Sequence, residues 1–179
     1  MVRKIYQLRV ALDGVTPPVW RRVQVPGAFT LDRIHRVIQY AMGWRDYHLH
    51  SFDIGGAQYG EPDPDGDLDL VDELEVRLDA VATEGTRLRY TYDYGDWWEH
   101  TVDVEEVLAA DPDERYPLCL EGAGICPPED VGGAFGYAEA VAVLHDPAHP
   151  EYAAVRERFG GVPESFDPRL ATTLLRRLA

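Results

Sequence analysis

Eleven consecutive residues, Tyr90-Thr91-Tyr92-Asp93-Tyr94-Gly95-Asp96-Trp97-Trp98-Glu99-His100, set five aromatics, three carboxylates and a histidine around one glycine. Upstream, His48 and His50 stand two residues apart. On a strand that spacing sends both rings to one face, a geometry metal sites use. With Asp96 they form a candidate divalent-metal set, to which Asp93, His100, Glu129 and Asp130 could add donors. Such a centre would support metal-dependent hydrolysis. The plainer reading makes His48 and His50 rim residues bonded to carboxylates and His100 a core histidine facing Tyr90. Carboxylates beside histidines in a partly dry cleft are expected to raise the histidine pKa values.

The elements that must position these groups start with a hairpin. Strand formers flank Gly95, and register decides which side chains share a face. A three-residue loop, Tyr94 to Asp96, pairs Tyr92 with Trp98, Tyr90 with His100 and Leu88 with Val102. The opposite face then sets Arg87 against Asp103 and Arg89 against Thr101, with Glu99 diagonal to Arg89. A two-residue loop would oppose Tyr92 and Glu99 and mix the faces, so the first register is expected.

Elsewhere, Tyr6, Leu8, Val10 and Leu12 alternate as a first strand, and Val19 to Val25 reads as a second. Thr30 is placed to cap a helix from Leu31 to Met42, stopped by Gly43. Leu31, Ile34, Ile38, Ala41 and Met42 fall within one apolar stripe, with His35 and Gln39 side by side at its edge. A third strand is expected over 48–54, an acidic loop over 61–69, and strand or helix over 70–82. The hairpin spans about 86–108 and a loop-rich stretch runs over 111–133. Helices are expected near 134–145, 150–159 and 168–178. With strands first and helices last, the order reads as a single α+β domain over 1–179: a mainly antiparallel sheet packed by one early helix and three late ones.

Other motifs read as structural. Cys119 and Cys126 are too far apart for a zinc knuckle and suit burial as small apolar groups. Glu61-x-Asp63-x-Asp65-Gly66-x5-Asp72 follows the calcium loop loosely. Its prolines and its terminal aspartate favour a solvated acidic loop instead. In Pro127-Pro128-Glu129-Asp130-Val131-Gly132-Gly133 the prolines fix φ, the glycines permit positive φ, and Asp130 is placed to cap the following helix. Arg21-Arg22 reads as a salt-bridged pair.

Composition limits the function classes. The 179 residues carry a formal charge of −15, which opposes unspecific binding to nucleic acid or anionic lipid. No apolar run nears the roughly 20 residues that span a bilayer, and Met1 to Tyr6 contains no signal-peptide core. A cytoplasmic protein without direct nucleic-acid or membrane contact is expected.

Five segments together resemble the plasmid ORF-3-like family, also labelled an insertion-element passenger TnpR family. They are Pro18-Val19-Trp20-Arg21-Arg22; His35-x3-Gln39-x3-Gly43-Trp44; His48-Leu49-His50-x-Phe52; Tyr92 to His100; and Cys119-x-Glu121-Gly122 with Pro127 to Gly133, Gly136 and Tyr137. The resemblance implies an α+β domain associated with mobile elements and defines no catalytic residue. Recombinase chemistry is disfavoured, because the only serines, Ser51 and Ser165, stand beside no arginine cluster. The expected function is a binding or accessory module for a small ligand or peptide. Its site would comprise His35, Gln39, Trp44, Asp93, Asp96, Trp98, His100, Glu129 and Asp130. The alternative is the metal-dependent hydrolase on His48, His50 and nearby carboxylates; the former needs no cofactor.

Overall fold

The computed structural model describes residues 3–62, 70–159 and 165–178. In chain order its elements are β1 (Lys4–Leu12), β2 (Val19–Pro26), α1 (Leu31–Met42), β3 (His50–Ile54), β4 (Ala57–Gly60), β5 (Val71–Asp72), α2 (Leu78–Val81), β6 (Arg87–Tyr92), β7 (Trp98–Ala109), β8 (Leu118–Ala123), α3 (Gly133–Leu144), α4 (Tyr152–Arg158) and α5 (Pro168–Leu175). A 3-10 turn at Arg176–Leu178 follows α5. The eight strands form one sheet in the order β5-β4-β3-β6-β7-β1-β2-β8. Every pairing is antiparallel except β4 with β5. The α+β class is therefore present, with a sheet larger than the sequence disclosed. The calcium-loop-like run lies mostly on residues 63–69, outside the described residues.

Alternation builds the sheet. Leu8, Val10, Val23, Val25, Phe52, Leu88, Tyr90, Val102 and Val104 are buried on one side. The other side carries ion pairs of Arg22 with Glu105, Arg87 with Asp103 and Arg89 with Glu99. One face thus packs a core and the other meets water, the usual division in an antiparallel sheet. The α1 stripe enters that core through Leu31, Ile34, Val37, Ile38 and Met42. Each such side chain contributes roughly 1.5–3 kcal/mol when fully buried. Gly43 ends α1 at φ 94°, and the N–H groups of Gly43 and Trp44 both donate to the Gln39 carbonyl. Thr30 occupies the N-cap position, but its hydroxyl bonds the Asp32 carboxylate rather than capping the helix.

Arg21 and Arg22 part company. Arg22 is ion-paired on the polar face with Glu105 and Glu121. Arg21 is buried under the sheet: its Nε donates to Ala41 O at 2.8 Å, and Nη1 donates to Trp20 O and Ala123 O, each at 2.8 Å. Its guanidinium lies 3.7 Å from the Phe166 ring centre. Ala41 is in the last turn of α1, where carbonyls lack intrahelical donors and the dipole favours a cation. Burial lowers the Arg21 pKa from its ordinary value. The expectation of a salt-bridged pair therefore holds for Arg22 alone.

Cys119 and Cys126 are free thiols, and burial pushes the Cys119 thiol up to about 11 and raises Cys126 as well. Both pack against the core as neutral groups. Among the described residues, no helix is long and apolar enough to cross a membrane.

Candidate functional site

The hairpin adopts the aromatic register: Tyr92 pairs with Trp98, Tyr90 with His100, Leu88 with Val102 and Arg87 with Asp103. The connection is longer than the expected three residues, because Asp93 and Trp97 leave the ladder at φ 59° and 56°. The Trp97 N–H closes it by donating to Asp93 O at 2.6 Å. Asp93 Oδ1 accepts from the N–H groups of Gly95 at 2.9 Å and Asp96 at 3.3 Å, the local bonding that suits aspartate to a left-handed turn. The Asp93 N–H donates to Leu49 O at 2.9 Å, tying the tip to the segment that holds both histidines.

The Pro127–Gly133 loop folds onto this tip. The Trp44 indole N–H donates to Pro127 O at 2.9 Å, and the Arg45 N–H to Glu129 Oε2 at 3.2 Å. The Tyr92 hydroxyl accepts from the Tyr47 N–H at 3.0 Å and donates to Glu129 Oε1 at 2.5 Å. The Gly132 N–H donates to Asp96 Oδ2 at 3.0 Å, and Arg158 bonds the Asp130 carbonyl. Gly132, not Asp130, is the N-cap of α3. The Asp130 side chain is free to turn the other way because the Asp96 carboxylate receives the Gly132 amide. The separated segments do converge.

Gly133 is required at this junction. Its φ is 65°, and a Cβ there would lie 2.3 Å from the Asp96 carbonyl oxygen. Gly133→Ala should therefore lift the loop from the tip and destabilise the fold by roughly 1–3 kcal/mol, the usual cost of a side chain forced into this conformation. A lowered urea midpoint together with altered fluorescence from exposed Trp97 is the expected reading.

The aromatic wall is core rather than surface. Tyr90, Tyr92, Trp98 and His100 are each at most 1% exposed. Trp44 covers them, stacked on Tyr92 with centroids 5.0 Å apart and edge-on to His100 at 5.3 Å. His100 donates from Nδ1 to Trp98 O at 3.1 Å, and burial lowers its pKa to about 4. Of the expected ligand-binding residues, Trp98 and His100 thus lie beneath the site, and Gln39 is buried behind His35. Trp44 and Glu129 hold the loop, while Asp96 anchors Gly132.

His35, Asp46, Gln39 and Tyr90 form a closed ring of hydrogen bonds. The Asp46 N–H donates to Gln39 Oε1 at 3.0 Å, which fixes the amide so that Gln39 Nε2 donates to the Tyr90 hydroxyl at 3.0 Å. Burial raises the Tyr90 pKa well above its usual value, so the phenol keeps its proton and donates it to His35 Nδ1 at 2.8 Å. His35 Nε2–H then donates to Asp46 Oδ1 at 2.8 Å. Only the neutral imidazole with its proton on Nε2 satisfies the whole ring. Burial, and next the neighbouring His50, lower the His35 pKa to about 4; Asp46 acts the other way and is outweighed. The expected upward shift is thus reversed for His35, because desolvation of the cation exceeds the attraction of one half-exposed carboxylate.

His50 stacks on His35, with centroids 3.4 Å apart and planes within 5°. Its Nε2 bonds the buried Glu73 carboxylate at 2.9 Å. The stack lies in a cleft of about 490 Å³ lined also by Asp32, Arg36, Asp46, Tyr47, His48, Leu49, Glu61, Pro62, Asp72, Glu73 and Leu74. Among the described residues, five carboxylates face a single arginine there. Sequence reading missed Asp46 and Glu73. Asp46 had a faint signal as a residue tolerant of positive φ just beyond the helix stop, and its φ is 60°.

The metal set His48, His50 and Asp96 is not assembled. β3 begins at His50, so His48 precedes the strand and the two-residue periodicity that paired the rings does not apply. His50 is engaged by Glu73, and Asp96 by Gly132. Among the described residues, the group whose ligand atoms lie within 4.8 Å of one another is His48, Asp93 and Asp130.

Residues 4–173 match the family described as plasmid pRiA4b ORF-3-like protein. Uncharacterized protein y4hQ of Sinorhizobium fredii is 43% identical over 162 residues, covering 89% of this chain and 83% of the relative. The crystal structure of MM3350, a protein of unknown function from Methanosarcina mazei Go1, superposes with a TM-score of 0.86 at 36% identity. The match covers 94% of this chain and 98% of that one.

Proposed function

The chain belongs to the plasmid pRiA4b ORF-3-like protein family, and on that premise we propose that it is a binding module whose cleft receives a small organic cation. The observation that carries this reading is the stacked His35–His50 floor in a 490 Å³ cleft walled by five carboxylates and one arginine. Two imidazoles 3.4 Å apart repel if both are charged, which disfavours double protonation of the floor. Asp46 and Glu73 hold the rings from their outer edges. Glu61 and Asp72 bring negative potential without disturbing the stack. Tyr47 and Leu49, 66% and 60% exposed, offer apolar and aromatic surface to the body of the ligand. An ammonium or guanidinium group on a short apolar stem fits this chemistry, whether on a free molecule or on a peptide side chain.

The test is calorimetric titration at low ionic strength with agmatine, a free guanidinium, and with acetyl-arginine-amide, the same group on a peptide backbone. EDTA is kept present throughout. Saturable binding of either probe is expected, weakening as salt screens the carboxylates. Glu61→Gln/Asp72→Asn should reduce it about tenfold, a change of about 1.4 kcal/mol. Neither heat nor a melting shift from either probe at millimolar concentration would overturn the reading.

A further inference from the structure

We propose that His48, Asp93 and Asp130 bind one zinc-class divalent cation at the seam between the hairpin tip and the Pro127–Gly133 loop. His48 Nε2 lies 3.1 Å from Asp130 Oδ1 and 3.5 Å from Asp93 Oδ2. Ligands placed at zinc bond lengths of about 2.0–2.1 Å around a tetrahedral ion are separated by about 3.3 Å, and these two edges bracket that value. The separations therefore suit ligands sharing a central ion.

His48 Nε2 is closed from solvent yet has no hydrogen bond, although two carboxylates stand near it. A buried ring nitrogen without a partner is uncommon, and a metal ion supplies one that does not depend on the angle of an N–H donor. Asp93 is prepared for single-oxygen ligation. Its side chain is 9% exposed, and Oδ1 is occupied by the amides of Gly95 and Asp96. That leaves Oδ2 turned to His48. Two carboxylates and a neutral imidazole carry charge −2, which a divalent ion neutralises. The nitrogen and oxygen donors suit zinc better than calcium, which takes six to eight oxygens.

The ligands come from three separate stretches: the segment before β3, the hairpin tip and the loop. An ion there joins the loop to the tip. Three protein ligands leave the fourth tetrahedral position to water, as in catalytic rather than structural zinc sites. Of the three ligands, His48 lines the 490 Å³ cleft and Asp130 the neighbouring cavity beside Trp44, Pro127 and Glu129. The proposal is independent of organic-cation binding, which draws on Glu61, Asp72 and the imidazole stack.

The experiment uses the full chain, stripped with EDTA, dialysed and titrated with zinc chloride. Mass spectrometry of the metal content and calorimetry then report stoichiometry and affinity. One zinc per chain is expected, with X-ray absorption fitting a shell of nitrogen and oxygen at about 2.0–2.1 Å. Asp130→Asn, at an exposed side chain, should keep the fold and weaken zinc at least tenfold; His48→Ala should do the same. Glu73→Gln, which alters the His50–Glu73 pair, and Glu61→Gln/Asp72→Asn should leave zinc affinity unchanged. Absence of stoichiometric zinc, or zinc held equally well by the wild type, Asp130→Asn and His48→Ala, would overturn the site.

Discussion

Replacing Tyr90 with phenylalanine should destabilise the fold by about 2–6 kcal/mol, although it removes one oxygen and leaves the ring in place. Tyr90 is fully buried, and its hydroxyl is shared between Gln39 Nε2 and His35 Nδ1. With the oxygen gone, a buried donor and a buried acceptor both lose their partner. Each orphaned group costs roughly 1–3 kcal/mol, because water cannot replace what was lost. The ring of bonds also fixes Asp46 and the proton on His35, so the loss reaches the floor of the cleft. Urea unfolding at pH 7.5 checks this. A change below about 0.5 kcal/mol, the level of an ordinary surface substitution, would show that the ring does not exist in solution.

Acid should destabilise the protein within a defined window. His35 and His100 both have native pKa values lowered to about 4 from an ordinary value of 6.5, in each case chiefly by burial. Between those values the unfolded chain binds protons that the native state refuses, so falling pH favours unfolding. Their neutral burial is tolerated without loss above about pH 6.5. Stability then declines as pH falls toward 4, and below 4 these two groups cost nothing further. The depression corresponds to roughly 3–4 kcal/mol for each imidazole, about 7 for the two, a large share of the 5–15 kcal/mol typical of a domain. Glu105 titrates in a different window. The hydrogen bond from Arg22 lowers its pKa from the usual 4.5, so its contribution is lost only at more acidic pH. Urea midpoints at pH 7.5, 6.0, 5.0 and 4.5 should therefore fall steadily, and His100→Gln should roughly halve the slope. A flat profile from 7.5 to 5.0 would mean that these imidazoles are solvated.

The parts legible in the sequence were those governed by local periodicity. The hairpin register could be read because a one-residue slip would set Tyr92 against Glu99 and send charges into the core, and the pairs formed are those expected. Gly43 ends α1 as its position required. β4 escaped because it has only four residues, and β8 because it lies within the proline- and glycine-containing stretch that reads as loop; they are defined by pairing with β3 and β2, not by their own pattern. Arg21 could not be told from Arg22, since only the tertiary fold puts one beneath the sheet and the other on its polar face. The site was legible as a set of segments and illegible as a set of partners. His48 and His50 looked equivalent while both were assigned to a strand. Starting the strand at His50 gives one to Glu73 and the His35 stack, and the other to Asp93 and Asp130. Glu73 and Asp46 carry no motif; their significance lies in which imidazole they reach.

The most direct measurement is a long-range proton–nitrogen spectrum of the histidine rings at pH 7, recorded before and after addition of agmatine. His35 should appear as a neutral ring protonated at Nε2, as its bonds to Tyr90 and Asp46 require. Agmatine should shift the ring resonances of His35 and His50 together and leave buried His100 unmoved. A charged His35 at that pH, or agmatine shifts confined to His145 and His149, at and beyond the C-terminal end of α3, would contradict a cleft built on the paired imidazoles.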